Sequence, residues 1–491
     1  MSKHYLAIDL GAESGRIMLG TLTEGALSLE EIHRFQNPVV TVCGSLRWDI
    51  LGLFNEIRNG LAKIGRQGMK VSSISSDSWG VDYVLIRGNE PTLGAPYNYR
   101  DARTDGGFER AFAVVPREEI FRETGIQFMT LNTLYQLHAH AMADPVLLKT
   151  AEKFLCIGDY INFLLCGVAK MEVSLASTTQ LYNPKKKAWS KKLIGKFKFP
   201  KHLFPEVVAS GTKLGPVDHR IAGDLGLTEM EVIATCSHDT GAAVAAVPAE
   251  GKNWAYLSCG TWSLMGVELE KPIINPASLA GGFTNEQGLG GTTRFLKNII
   301  GLWIVQECRR AWAREGREYD YSTLTRMAFE APPFGTLINP NDPRFGKPGL
   351  MPQKIQDFAR ETGQSVPEEH GAIIRCALES LACVYRLTLD ELWSVAKRRI
   401  KTLHAVGGGI QNELLVQLTA NATQVPVVAG PVEATALGNV LIQALTLGEI
   451  KSHEELRTIV RTSFPTRTFQ PQDTHRWEET IVRFKTLVEK K

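Results

Sequence analysis

At 491 residues the chain is too long for one ordinary core, and a typical domain size divides it into roughly two to four domains. Apolar residues make up 44% and charged residues 22%, a globular balance that leaves no compositional case for disorder. The 55 basic and 52 acidic side chains nearly cancel to +3, which supplies no global field for collecting nucleic acid or an anionic membrane, so any polyanion handled here is small and locally held.

The opening MSKHYLAIDLG runs straight into a strand-like segment, with too short an apolar stretch for a secretory signal. The smoothest apolar run, Gly241 to Pro248, is alanine-rich and falls well short of the roughly 18 residues a spanning helix needs. The eight cysteines are scattered, with no CxxC pair and no histidines at zinc-ligand spacing, and read as reduced thiols in a cytoplasmic protein.

In chain order, Tyr5 to Leu10, Ile17 to Leu22 and Leu27 to Phe35 read as a meander of strands broken at Gly11, Gly15 and Gly25. Ile50, Leu53, Phe54, Ile57, Leu61 and Ile64 follow at helical spacing, and extended runs return at Ile74 to Asp77 and Val81 to Ile86. That alternation indicates a mixed α/β sheet. A similar opening recurs where Trp254 to Ser258 and Trp262 to Leu269 flank the small polar turn Cys259-Gly260-Thr261, which suggests two lobes on one plan. The polar connector from Pro248 to Asn253 sets the expected lobes at 1–248 and 253–450, and Trp477, Ile481, Phe484 and Val488 place a packed helical tail over 451–491. The lysine-rich block from Lys185 to Lys201 reads either as a contact for nucleic acid or membrane, or as a solvated excursion packed down by Trp189, Ile194, Phe197 and Phe199.

Asp9-Leu10-Gly11-Ala12-Glu13-Ser14-Gly15-Arg16 is a turn of small residues between strands, whose backbone N–H groups can converge on a phosphate. Ser14 adds a donor, Arg16 a cation, and Asp9 a carboxylate able to hold a metal directly or through water. An ordinary hairpin whose glycines only supply positive φ explains the same residues. Cys259-Gly260-Thr261-Trp262-Ser263 repeats the arrangement, and Gly407-Gly408-Gly409 at a strand-to-helix turn permits close approach of a flat group or phosphate. Cys236-Ser237-His238-Asp239-Thr240-Gly241 leads into an alanine-rich segment: Ser237 or Asp239 caps a helix there, or Asp239 takes a proton from a substrate hydroxyl as it attacks phosphorus. Asp77 to Asp82 and Tyr99 to Arg103 read as polar loops with an aromatic face suited to a polyhydroxylated ligand, or as surface turns around a half-buried Trp79.

Taken together, DLGAESGR, SHDTG near 238, SCGTWS near 260 and VGGGIQN near 407 resemble the FGGY family of carbohydrate kinases, in matching order across nearly the whole chain. DSWGVDYVL (77–85), YRDART (99–104), SCGTWSLMG (258–266), LKNIIGLWIVQ (296–306), INPNDPRF (338–345) and AGPVEATALGN (429–439) look specifically like the members of that family that phosphorylate L-rhamnulose. The resemblance implies an α/β fold of two ribonuclease-H-like (actin-like ATPase) lobes, with ATP, Mg²⁺ and sugar in the cleft between them and the γ-phosphoryl group passing to the sugar 1-hydroxyl. By the same resemblance Ala12, Glu13, Ser14, Gly15 and Arg16 bind the ATP phosphates, and Thr261, Gln306 and Gly408 contact the nucleotide. Asp239 is the implied proton acceptor, flanked at the sugar by His238 and Thr240, with Gly80 and Asn298 also on the sugar. Glu13 stands where a small residue is usual in those kinases. No nucleic acid, membrane or obligatory protein partner is implied. The other readings are a kinase for a different ketose or polyol, such as L-fuculose or D-xylulose, and an actin-like ATPase with no sugar acceptor.

Overall fold

A computed structural model of the chain describes residues 2–88 and 90–489. Strands β1 (Lys3–Leu10), β2 (Ser14–Thr23) and β3 (Ala26–Gln36) form the expected antiparallel meander. Helix α1 (Ile50–Arg66) starts where the Asp49 side chain accepts from Gly52 N–H, and it lays Leu53, Ile57, Leu61 and Ile64 against Ile8, Leu10 and Ile17 of the sheet. Strand β4 (Ser73–Ser78) then pairs parallel to β1, so that Asp77 stands beside Asp9. With β5 (Thr212–Pro216) and β6 (Glu231–Ala234) the sheet has the order β5-β6-β4-β1-β2-β3, and helix α2 (Asp239–Ala245) follows a short turn after β6.

The second opening repeats the first. Strands β7 (Trp254–Cys259) and β8 (Trp262–Leu269) pair antiparallel, followed by β9 (Thr284–Gln287), β10 (Thr293–Ile300), helix α3 (Trp303–Arg314) and the 27-residue helix α4 (His370–Ala396). Strand β11 (Thr402–Val406) pairs parallel to β7 before helix α5 (Glu413–Thr423) and strand β12 (Val427–Ala429). Helices α6 (Ala434–Thr446) and α7 (His453–Ser463), strand β13 (Arg467–Phe469) and helix α8 (Thr474–Glu489) complete the chain, and this sheet has the order β9-β10-β8-β7-β11-β12-β13.

The chain forms two compact units that do not follow continuous boundaries. The first takes the residues up to Pro248 together with Glu268–Phe295 and Ala434–Ser463, and the second takes Ala249–Val267, Leu296–Glu433 and the residues from Phe464 onward. The expected crossing after Pro248 coincides with one division, whereas 253–450 is not a single body. The reason is polar and local: on α6, Asn439 Nδ2 donates to Asp77 at 2.6 Å and Gln443 Oε1 accepts from Ser73 at 2.7 Å. Gly438 lets α6 pack closely on α2, since a Cβ there would lie 1.9 Å from the Ala242 carbonyl oxygen. The expected tail over 451–491 also divides. In the first unit Ser463 Oγ accepts from Leu27 N–H, whereas in the second β13 pairs with β12 and α8 buries Trp477, Ile481 and Phe484.

The lysine block folds as the packed excursion. Leu193, Ile194, Phe197 and Phe199 are buried, and Lys192 and Lys196 each approach Glu119 at 2.9 Å. All the cysteines are free thiols, buried except for Cys43 and Cys166. Among the described residues no helix is long and apolar enough to cross a membrane.

Candidate active site

In the first unit, the β1/β2 ladder ends at Leu10 opposite Gly15, and residues 11–14 form the turn, closed by a 2.9 Å bond from Gly11 N–H to the Ser14 carbonyl. The turn does join antiparallel strands as a hairpin, but Gly11 and Gly15 are both outside the positive-φ region, which corrects the reading that its glycines are there to supply positive φ. Gly15 is small because a Cβ would sit 2.3 Å from the Phe35 ring. Asn37 braces the turn by donating through Nδ2 to the Gly11 carbonyl and through N–H to the Glu13 carbonyl, each at 3.0 Å. Ala12 and Ser14 are half-buried and the Glu13 side chain is exposed, so the turn presents mainly backbone. Arg16 lies opposite Asp9 in the ladder and donates to Asp9 Oδ2 through Nη2 at 2.7 Å and Nε at 3.0 Å.

Two further carboxyls belong to the same unit. Asp77 is fully buried, and its carboxyl is raised well above the usual range, first by burial and then by the charge of Asp9, against the bond from Asn439. Its Oδ1 has no hydrogen-bond partner. Asp239 is the first residue of α2, whose N-cap is His238 with no side-chain capping bond, so neither Ser237 nor Asp239 serves as the N-cap side chain. Instead Asp239 Oδ1 accepts from Thr240 N–H at 2.5 Å and Thr240 Oγ1 at 3.0 Å. Burial raises the Asp239 carboxyl and the charge of Asp9 adds to it, while His238 and the Thr240 bonds oppose. His238 Nε2 stands 3.4 Å from Asp239 Oδ1.

Behind this corner, buried Glu172 accepts from Ser237 N–H at 3.0 Å and from Ser174 N–H at 2.9 Å, while Ser174 Oγ accepts from His238 N–H at 3.0 Å. One carboxylate therefore fixes two successive peptides ahead of Asp239. Residues 77–82 are likewise no surface loop. Asp82 is fully buried and accepts from Trp48 Nε1 at 2.6 Å, Gln136 Nε2 at 2.8 Å and Trp79 Nε1 at 3.0 Å, and burial pushes its carboxyl up to about 6. Gly80 precedes Val81, a β-branched residue held at φ 70° by bonds to Thr178 Oγ1 and Thr133 Oγ1. A Cβ on Gly80 would lie 3.1 Å from Thr178 Oγ1, so the glycine keeps this strained turn close to its neighbour.

The second unit brings Thr261, Gln306 and Gly408 together on the wall of one cavity of about 890 Å³. Gln306 Nε2 donates to Thr261 Oγ1 at 3.1 Å and its Oε1 is buried without a partner. Gly260 and Thr261 carbonyls accept from Leu302 N–H at 3.0 Å and Trp303 N–H at 3.2 Å, which ties the turn to the start of α3. Gly407, at φ 88°, and Gly409 pack on Cys259, whereas a Cβ on Gly408 would meet nothing within 4 Å. Tyr321, Phe329 and Phe469 give the cavity aromatic walls for a flat group. Asn298 lies on β10 in the second unit.

Glu172, Asn439, Glu286 and Arg294 were not anticipated as site residues. Only Asn439 carried a signal, as the last residue of AGPVEATALGN.

Two units opened by matching strand-turn-strand elements, one rich in buried carboxyls and the other holding a large cavity, constitute the two-domain sugar-kinase fold. The solved xylulose kinase from Lactobacillus acidophilus has that fold with a TM-score of 0.83, at 16% identity over 99% of each chain. The chain belongs to the FGGY family of carbohydrate kinases, whose N-terminal domain matches residues 4–246 and whose C-terminal domain matches residues 255–447. It is 43% identical over 488 residues to the rhamnulokinase of Bacteroides thetaiotaomicron, covering 99% of this chain and 100% of that one. It is 42% identical to the rhamnulokinase of Pectobacterium atrosepticum, covering 96% and 93%. Family membership makes it a sugar kinase that uses ATP and sets aside the reading as an ATPase without a sugar acceptor.

Proposed function

We propose that the protein transfers the γ-phosphoryl group of ATP to the 1-hydroxyl of L-rhamnulose, giving L-rhamnulose 1-phosphate and ADP in the cytoplasm. Substrate choice rests on the rhamnulokinase relatives and on the six sequence stretches whose resemblance points to the same sugar. The observation that carries the chemistry is Asp239, a half-buried carboxyl raised above its ordinary value at a strand-to-helix corner, with His238 against it. A base with that environment accepts the hydroxyl proton as the oxygen attacks phosphorus, while the ADP oxygen departs. His238, Thr240, Gly80 and Asn298 are assigned to the sugar. Residues 12–16 are assigned to the phosphates, with Arg16 acting through its pair with Asp9, and Thr261, Gln306 and Gly408 to the rest of the nucleotide.

The residues present fit a magnesium ion that reaches the site with the nucleotide. Among the described residues no cluster of three or more His, Cys, Asp or Glu forms a metal cage, and Mg²⁺ typically needs only one or two carboxylates beside phosphate and water. Asp9 would supply that carboxylate, because both of its bonds from Arg16 fall on Oδ2 and leave Oδ1 for the ion. When bound there, the ion would neutralise phosphate charge.

The test is ADP release by the purified protein with Mg·ATP against L-rhamnulose, L-fuculose, D-xylulose and glycerol. Strong stimulation by L-rhamnulose alone is expected. Equal or better stimulation by another of these acceptors would replace the sugar while leaving the kinase assignment intact.

A further inference from the structure

His238 is held from behind by two charged residues that no motif announces. Glu286 on β9 and Arg294 on β10 both lie in the Glu268–Phe295 segment that joins the first unit. Arg294 is fully buried, donates through Nε to the Gln287 carbonyl at 3.1 Å, and places Nη2 2.9 Å from Glu286 Oε2 and 3.0 Å from His238 Nδ1. Glu286 Oε2 is 3.2 Å from the same ring nitrogen. Burial pushes the Glu286 carboxyl up, and the Arg294 guanidinium, in an ion pair with it at 2.9 Å, is the first of the groups that hold it below its ordinary value.

A guanidinium has only donors, and each terminal nitrogen carries two hydrogens. Nη2 is hydrogen-bonded to the imidazole Nδ1, whereas its 2.9 Å contact with Glu286 Oε2 is an ion pair and that oxygen has no hydrogen-bond partner. An Nδ1 that accepts cannot carry the proton in a neutral ring, so the proton is on Nε2, on the Asp239 side. We propose that Arg294 and Glu286 are positioning residues that lock neutral His238 in its Nε2–H tautomer, making it a hydrogen-bond donor beside the catalytic base rather than a second proton acceptor. Glu286 has a distinct part: it neutralises the Arg294 charge, and it is the group to which an Nδ1–H would turn if the ring became cationic. The groups facing the ring are therefore Asp239 on one side and Glu286 with Arg294 on the other.

This inference rests on the sugar-kinase reading above and deepens it. A donor at Nε2 selects a ligand oxygen that can accept next to the hydroxyl that loses its proton, as any carbonyl or hydroxyl oxygen of a ketose can. A burial of Arg with Glu is costly to arrange and adds little net stability, so specificity of one ring is a physical reason for it to be there.

The test is the ¹⁵N spectrum of the full chain labelled at histidine, with two-bond ¹H–¹⁵N correlations at pH 8 and the His238 signals identified by their loss in His238→Asn. Nε2 protonated and Nδ1 bare is the expected pattern. A protonated Nδ1 with bare Nε2 would overturn the proposal, whatever the protein's activity, and the sugar panel fails or succeeds independently of it. As a second arm, Arg294→Met should convert His238 to a mixture of tautomers and raise the sugar KM about tenfold, with the ATP KM unchanged, the scale of one lost hydrogen bond. A folded Arg294→Met variant with an unchanged tautomer would also sink it, and the wild-type spectrum decides if that variant does not fold.

Discussion

The turns at residues 11–14 and 260–262 share a backbone plan but differ in chemistry. Each follows the first strand of its unit, pairs antiparallel into the second, and has a parallel neighbour on the other side. Each is closed by its leading glycine, Gly11 N–H to the Ser14 carbonyl at 2.9 Å and Gly260 N–H to the Trp262 carbonyl at 3.0 Å. One residue before the end of the first strand the first unit has Asp9, with Asp77 as its parallel partner and Arg16 as its antiparallel partner. The corresponding residue of the second unit is Ser258, with Val406 and Leu264. Charge is therefore placed on one copy of the plan and withheld from the other. The charged copy suits proton and phosphoryl transfer, and the neutral, glycine-rich copy suits the uncharged part of a nucleotide.

Substitutions can break that contrast in a definite order. Asp239→Asn should lower turnover by about 10² to 10⁴, roughly 3 to 5 kcal/mol of barrier, with ATP affinity by calorimetry little changed. A variant with near-normal turnover on its best sugar would remove the role assigned to the first unit. In the second unit two adjacent glycines should separate stability from binding. Gly409→Ala places a Cβ 2.5 Å from Cys259 Sγ and 2.7 Å from its carbonyl oxygen, and should cost about 1–3 kcal/mol in a denaturant titration. Gly408→Val should leave that titration unchanged and raise the ATP KM about tenfold by filling the cavity, on the scale of a few methylene contacts. Ser258→Ala should stay within about 0.5 kcal/mol and keep its turnover, because the second turn uses backbone where the first uses a carboxylate.

The regular elements of both units were legible because their apolar residues repeat at the period of the structure they form. Tyr5 to Leu10 and the Leu53, Ile57, Leu61 and Ile64 stripe of α1 are examples. Strand β4 shows where such reading stops: the extended run at Ile74 to Asp77 was legible, but its complete burial was not. Ser73-Ile74-Ser75-Ser76-Asp77-Ser78 has the composition of an exposed turn, yet all of its residues are buried. Three of its polar groups are met by Asn162, Asn439 and Gln443, which lie 86, 362 and 370 residues away from their partners in sequence. Asp82 was hidden in the same way, since nothing local shows that two tryptophan N–H groups converge on it. Asp239 and the two turns were recognisable because each is a contiguous run of small and polar residues. The Arg294 and Glu286 pair was not, because neighbours of His238 brought from another segment leave no spacing to read. The interleaved units escaped for a related reason: the residues that return α6 to the first sheet are a few amides on an otherwise apolar helix.

The most direct test of the account is the pH dependence of kcat/KM for L-rhamnulose. As the proposed base Asp239 works as the carboxylate, so activity should be present above its pKa and be lost as pH falls through it. Burial and Asp9 raise that pKa, which places the acid limb above the ordinary aspartate value of about 4. Such a limb is expected in the wild type, and it should disappear from the residual activity of Asp239→Asn. Full activity retained down to pH ~4, or a limb that survives unchanged in Asp239→Asn, would contradict that expectation.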